Sequence, residues 1–135
     1  MMPEFTLENA QNGKVVDSSK FKDKVKLITF FATWCRPCIR EIPSLIDLQK
    51  KFKKKGFSVI AISVDDGPKL VKKIIIKTGI NYPVFMANNQ ITRDFGGVAG
   101  IPVSFLVNRK GKVIKNYPGY APSSILESDI AEIIE

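Results

Sequence analysis

The chain has 135 residues, 44% hydrophobic and 25% charged, which fits one packed core and excludes a disordered chain. Apolar runs such as Val25–Ala32 stop well short of the roughly 20 residues that cross a bilayer, which excludes a membrane-spanning helix. The formal charge is +8, but the 21 basic residues are spread along the chain apart from one cluster, Lys50–Lys55, and no nucleic-acid motif accompanies them. They read as a solvated basic surface suited to acidic protein partners.

In chain order, Phe5–Leu7 and Lys14–Val16 flank Asn12-Gly13, a two-residue hairpin signal. Lys24–Ala32 is β-branched, aromatic and almost continuously apolar, the pattern of a strand buried on both faces. The only two cysteines follow at once, in Trp34-Cys35-Arg36-Pro37-Cys38. Ile39, Ile42, Leu45, Ile46, Gln49 and Phe52 then recur at helical spacing, with Pro43 expected to kink that helix and Gly56 to cap it. Phe57–Val64 predicts a second buried strand that ends at Asp65-Asp66-Gly67-Pro68.

A second helical stripe holds Leu70, Val71, Ile74, Ile75 and Thr78 and stops at Gly79. Tyr82–Met86 reads as a short strand and Asn89–Phe95 as a short helix. Val103–Val107, the turn Asn108–Gly111 and Lys112–Tyr117 form an antiparallel pair. Ser124-Ile125-Leu126-Glu127 reads as a capping box, opening a last helix with Ile125, Leu126, Ile130, Ile133 and Ile134 inward. This order predicts one α/β domain over residues 1–135: a central mixed sheet with helices on both faces, preceded by an N-terminal β-hairpin.

The cysteine pair sits where a buried strand meets a helix, the usual place for a site in such sheets. Cys35 falls at the N-cap, Pro37 in the first turn, and Cys38 one turn on, within bridging distance. Cys35 therefore meets the positive end of the helix dipole, with Arg36 beside it, and both favour thiolate over thiol. Cys38, one turn inward, is expected to be shielded. An exposed, activated attacker beside a buried resolving partner is what thiol–disulfide exchange requires.

Three other uses fit less well. As a structural staple the pair would link residues already adjacent, which constrains the unfolded chain little. A zinc site needs four ligands, and the sequence offers two cysteines and no histidine. Copper delivery on a related fold usually adds a histidine. No metal and no cofactor is therefore expected.

Phe31-Ala32-Thr33-Trp34-Cys35-Arg36-Pro37-Cys38-Ile39-Arg40-Glu41-Ile42-Pro43 resembles the active site of the thioredoxin superfamily, and within it the TlpA/ResA-like branch. The N-terminal hairpin, Ser63-Val64-Asp65, Gly100-Ile101-Pro102 and the Asn108–Gly111 turn follow that branch in order. The resemblance implies a thioredoxin-like fold and protein-disulfide oxidoreductase activity through a redox-active Cys35–Cys38 disulfide. It makes Cys35 the nucleophile and Cys38 the resolving residue. It also implies that Trp34, Ile101 and a cis-Pro102 contact the substrate, with the Ile101 backbone turned towards an extended chain.

Glu41 matches an acidic residue that the branch places near the disulfide, where a buried carboxylate would relay protons; the alternative is an exposed glutamate early in a helix. Thioredoxin itself has an aspartate where this chain has Thr29, six residues before Cys35, which raises the stake on Glu41. The expected partners are protein thiols and disulfides and a redox-recycling protein, with no nucleic acid and a monomeric state. The branch implies cytochrome c maturation or extracytoplasmic disulfide reduction, and more broadly redox homeostasis and antioxidant defence. No leader follows the doubled methionine. The expected setting is extracytoplasmic, with a leader or membrane anchor outside this sequence, and a cytoplasmic one is the alternative. Two other functions compete, a peroxiredoxin-like peroxide reductase and a metal-binding thioredoxin-fold module. The peroxiredoxin reading is weakened because Thr33 precedes Cys35 by two residues rather than three.

Overall fold

A computed structural model describes residues 1–134. Strands β1 (Thr6–Glu8) and β2 (Val15–Asp17) form an antiparallel hairpin, and a 3-10 turn, Ser18–Phe21, leads to β3 (Val25–Phe31). Helix α1 (Arg36–Phe52), β4 (Phe57–Ser63), α2 (Lys69–Thr78), β5 (Val84–Met86) and α3 (Asn89–Asp94) follow. The chain then forms β6 (Val103–Val107), β7 (Val113–Pro118) and α4 (Ser123–Ile133). The main sheet runs β5-β4-β3-β6-β7, parallel across β3, β4 and β5 and antiparallel from β3 to β6 to β7. This is the mixed sheet that the order of elements predicts. Among the described residues no helix is long and apolar enough to cross a membrane.

Every residue of β3 and β4 is buried, because both faces of the sheet are covered. Val25, Leu27, Phe31, Phe57, Val59 and Ala61 face a core shared with α1, α2 and α4. Ile28, Phe30, Ile60 and Ile62 face the other side, against the hairpin, Phe21 and α3. Strand alternation thus splits two apolar runs between two cores.

Four expectations need correction. The hairpin forms, but Glu8 pairs with Val15, so residues 9–14 make a wider loop than a two-residue turn. Asn9 Oδ1 accepts the amides of Gln11 and Asn12, and the Ala10 amide donates to Val84 O; this docks the loop on β5 and covers a sheet edge. The last helix has Pro122, not Ser124, at its N-cap, and Ser124 lies inside it. Glu127 reaches out to Lys51 (2.6 Å) rather than back to a cap. Ile125 is exposed, since Leu126, Ile130 and Ile134 already define the inward face. On α2 only Val71 and Ile75 are buried, and Leu70 points to solvent. Helix α1, by contrast, runs through Pro43 to Phe52, and a 3-10 turn then delivers the chain to Gly56.

Gly56 adopts φ 81°, a left-handed turn that glycine takes without steric cost. Above it lies Arg109, whose guanidinium donates to the carbonyls of Asp23 (3.3 Å), Lys55 (2.7 Å), Gly56 (3.4 Å) and Ile134. One side chain thus fastens the starts of β3 and β4 to the end of α4. A Cβ on Gly56 would stand 2.7 Å from Arg109 Nη1. Gly56→Ala is therefore expected to lower stability by about 1–2 kcal/mol from backbone strain, with more where the clasp opens. Urea unfolding checks this.

Candidate active site

The site lies at the carboxyl end of β3, where the loop to α1 turns back over the sheet. Asp65, just beyond β4, pins that loop. Its carboxylate accepts the Thr33 amide (3.0 and 3.3 Å), the Thr33 hydroxyl (2.5 Å) and the Ser63 hydroxyl (2.7 Å). In the sequence, Asp65-Asp66 marks only the end of a strand. Its role is visible only once β3 and β4 lie in parallel register, 32 residues apart in the chain.

Cys35 is the N-cap of α1, with extended backbone, and its sulfur accepts the Cys38 amide (3.4 Å). Pro37 fills the first turn, which holds no acidic residue, so nothing neutralises the positive end of the helix beside the sulfur. Cys35 and Cys38 form a disulfide, with Cα atoms 5.3 Å apart. The expectation of an exposed Cys35 needs adjusting: it is 7% exposed against 3% for Cys38. The Ile101–Pro102 segment covers it, with Ile101 O 3.8 Å from Cys35 Sγ.

The Ile101–Pro102 peptide is cis. Pro102 O accepts the Gly119 amide, while Ile101 lies outside the β6 ladder and takes no backbone partner among the described residues. Trp34, 71% exposed, projects from the rim beside Cys35.

Glu41 is buried, at 2% exposure, which removes the reading of an exposed glutamate. Its Oε2 accepts the Ala121 amide at 2.8 Å, across 80 residues of sequence. Burial raises its pKa above the usual 4.5, and the Ala121 bond opposes only part of that. Cys38, Glu41, Thr29 and Tyr82 line one small cavity of about 10 Å³, the scale of a single water. Burial, with the Glu41 charge adding to it, keeps the Tyr82 hydroxyl protonated. Thr29 is no substitute acid, because an aliphatic hydroxyl does not ionise near neutral pH; it pairs instead with the Ser104 hydroxyl (3.0 Å). No sequence pattern links Ala121 or Tyr82 to Glu41; both belong to the site through the fold.

The Redoxin family model matches residues 1–134. The chain belongs to the Redoxin family. It is similar to the thiol-disulfide oxidoreductase ResA of Bacillus subtilis, at 33% identity over 124 residues, covering 92% of this chain and 69% of that protein. ResA of Bacillus thuringiensis (strain Al Hakam) is 31% identical, over 97% of this chain and 75% of that one. Among solved structures, a thiol:disulfide interchange protein of the thioredoxin family from Chlorobium tepidum superposes with a TM-score of 0.91 at 32% identity, covering 99% and 95% of the two chains. This Redoxin chain carries the CxxC site of a thiol–disulfide oxidoreductase, and protein thiols and disulfides are its substrate class.

Proposed function

We propose that residues 1–135 act as one domain in which Cys35 is the nucleophile, Cys38 the resolving thiol and Glu41 the proton relay. In the dithiol state the Cys35 thiolate attacks a partner disulfide. One partner sulfur leaves as thiolate, and Cys35 holds the other in a mixed disulfide. Cys38 gives its proton to Glu41, either directly or through one water, and attacks Cys35 Sγ. The second partner sulfur leaves, the Cys35–Cys38 bond closes, and two electrons have passed to the partner. The reverse direction uses the same steps, and relative potentials select between them, with 30 mV worth about 1.4 kcal/mol. A separate redox protein would reset the pair.

The observation that carries this reading is the Cys35 sulfur at the N-cap of α1, receiving the Cys38 amide. Cys38→Ser tests it: the variant is expected to accumulate mixed disulfides with protein substrates through Cys35. No trapped species, or rapid peroxide consumption by the native protein without an added reductase, would overturn the assignment.

Trp34, Ile101 and Pro102 form the proposed substrate rim, where the Ile101 backbone, which has no backbone partner among the described residues, pairs with an extended chain by β-augmentation. Trp34→Ala is expected to raise KM for a protein disulfide at least about fivefold. Because the side chain is exposed, stability should stay within about 0.5 kcal/mol. Steady-state insulin reduction and thermal melting measure the two. The resemblance to the TlpA/ResA-like branch supports assaying cytochrome c maturation and extracytoplasmic disulfide reduction first.

A further inference from the structure

The Lys53–Lys55 run and lysines far from it in the sequence converge in space. β3 and β4 start side by side, Val25 opposite Phe57, and β6 ends against the start of β3, Val107 opposite Lys26. The segments beyond these strand ends meet at one pole of the molecule, where Arg109 bonds to Asp23, Lys55 and Gly56. Lys22 and Lys24 reach that pole before β3, Lys53, Lys54 and Lys55 before β4, and Lys110 in the β6–β7 turn. All six are exposed, and none enters an ion pair among the described residues. A cavity of about 370 Å³ opens among them between Lys22, buried Lys26, Arg109 and Lys110, with Glu4 and Asp23 as its carboxylates. The disulfide lies at the opposite end of seven-residue strands, roughly 20 Å away.

We propose that this pole is a docking surface for an anionic lipid bilayer, which leaves the Cys35–Cys38 end facing solution. The chemistry of the pole selects this partner. Its free cations are lysine ammoniums, compact hydrated charges suited to a diffuse anionic surface. The one guanidinium there is committed to backbone carbonyls, so no fork remains for a phosphodiester or a fixed carboxylate. The sole tryptophan sits at the other pole, which leaves the lysine surface without the aromatic platform that single-stranded nucleic acid uses. Nor does it hold an aromatic anchor of the kind that centres a protein interface. The docking does not depend on the roles assigned to Cys35, Cys38 and Glu41.

The test is co-sedimentation of the purified chain with vesicles of phosphatidylglycerol and phosphatidylcholine in equal parts, against phosphatidylcholine alone. Binding to the anionic vesicles is expected, weakening as salt rises. Changing Lys53, Lys54 and Lys55 together to Glu should cut the affinity at least about tenfold, with insulin reduction unchanged. The same charge change on α2, at Lys69, Lys72 and Lys73, should cost much less. Trp34 fluorescence should resist quenching by brominated acyl chains in the bound state. Equal losses from the two triple variants would reduce the effect to net charge and overturn the proposal, as would a quenched Trp34. Indifference to anionic vesicles together with retention on poly-glutamate or single-stranded DNA would assign the pole to another partner and overturn it too.

Discussion

Cys35→Ser is expected to bring disulfide exchange down to background, a loss of at least about three orders of magnitude. Serine is among the best N-cap residues, so its hydroxyl can take over the Cys38 amide and the start of α1 survives. Melting curves of the variant and the native protein under reducing conditions should therefore nearly coincide, separating lost chemistry from lost fold. Cys38 cannot stand in as the attacker. It lies three residues past the N-cap with its own amide donating to Cys35 Sγ, it is almost fully buried, and its thiol opens on a cavity the size of one water. Iodoacetamide should label Cys35 of the reduced native protein well before Cys38, with the gap widest at mildly acidic pH. Appreciable turnover by Cys35→Ser would move the nucleophile to Cys38 and dissolve the helix-terminus account.

What could be read from the sequence divides along a physical line. Elements with local signals were legible: the doubly buried strands Val25–Phe31 and Phe57–Ser63 from their continuous apolar runs, and the start of α1 from Cys35-Arg36-Pro37. Local capping rules misled where a side chain had a better distant partner, as Glu127 has in Lys51. The Asn12-Gly13 signal failed for a similar reason, since docking of Ala10 on Val84 O holds the loop wide. Tyr82 and Ala121 reach Glu41 only through tertiary packing, and no spacing announces them. The burial of Glu41 was open in the sequence because position 41 of a helix starting at Arg36 faces the sheet or the solvent according to how α1 rolls. The structure rolls it onto the sheet.

Glu41 carries the second large effect, and two substitutions read it from opposite sides. Glu41→Gln keeps an oxygen for the Ala121 amide but removes the titrating group. Burial makes the folded protein hold this proton to higher pH than the unfolded chain does. Its contribution to stability is thus fully present below the unfolded value near 4.5 and is lost as pH rises through the raised folded value. The Glu41→Gln protein should therefore match the native one below that range and exceed it in stability at neutral pH, with a flatter dependence between. Glu41→Ala behaves differently: it strands the buried Ala121 N–H, at a cost of about 1–3 kcal/mol, and leaves a void beside Cys38. Resolution of the mixed disulfide should slow about 10²-fold in Glu41→Gln, the usual share of a positioned proton acceptor, and its rate should lose the pH dependence of the native protein. Denaturant titrations across pH and rapid-quench release of a trapped substrate give the two readouts. A Glu41→Gln protein with native resolution kinetics and a native pH profile would leave Glu41 a structural strut for Ala121 alone.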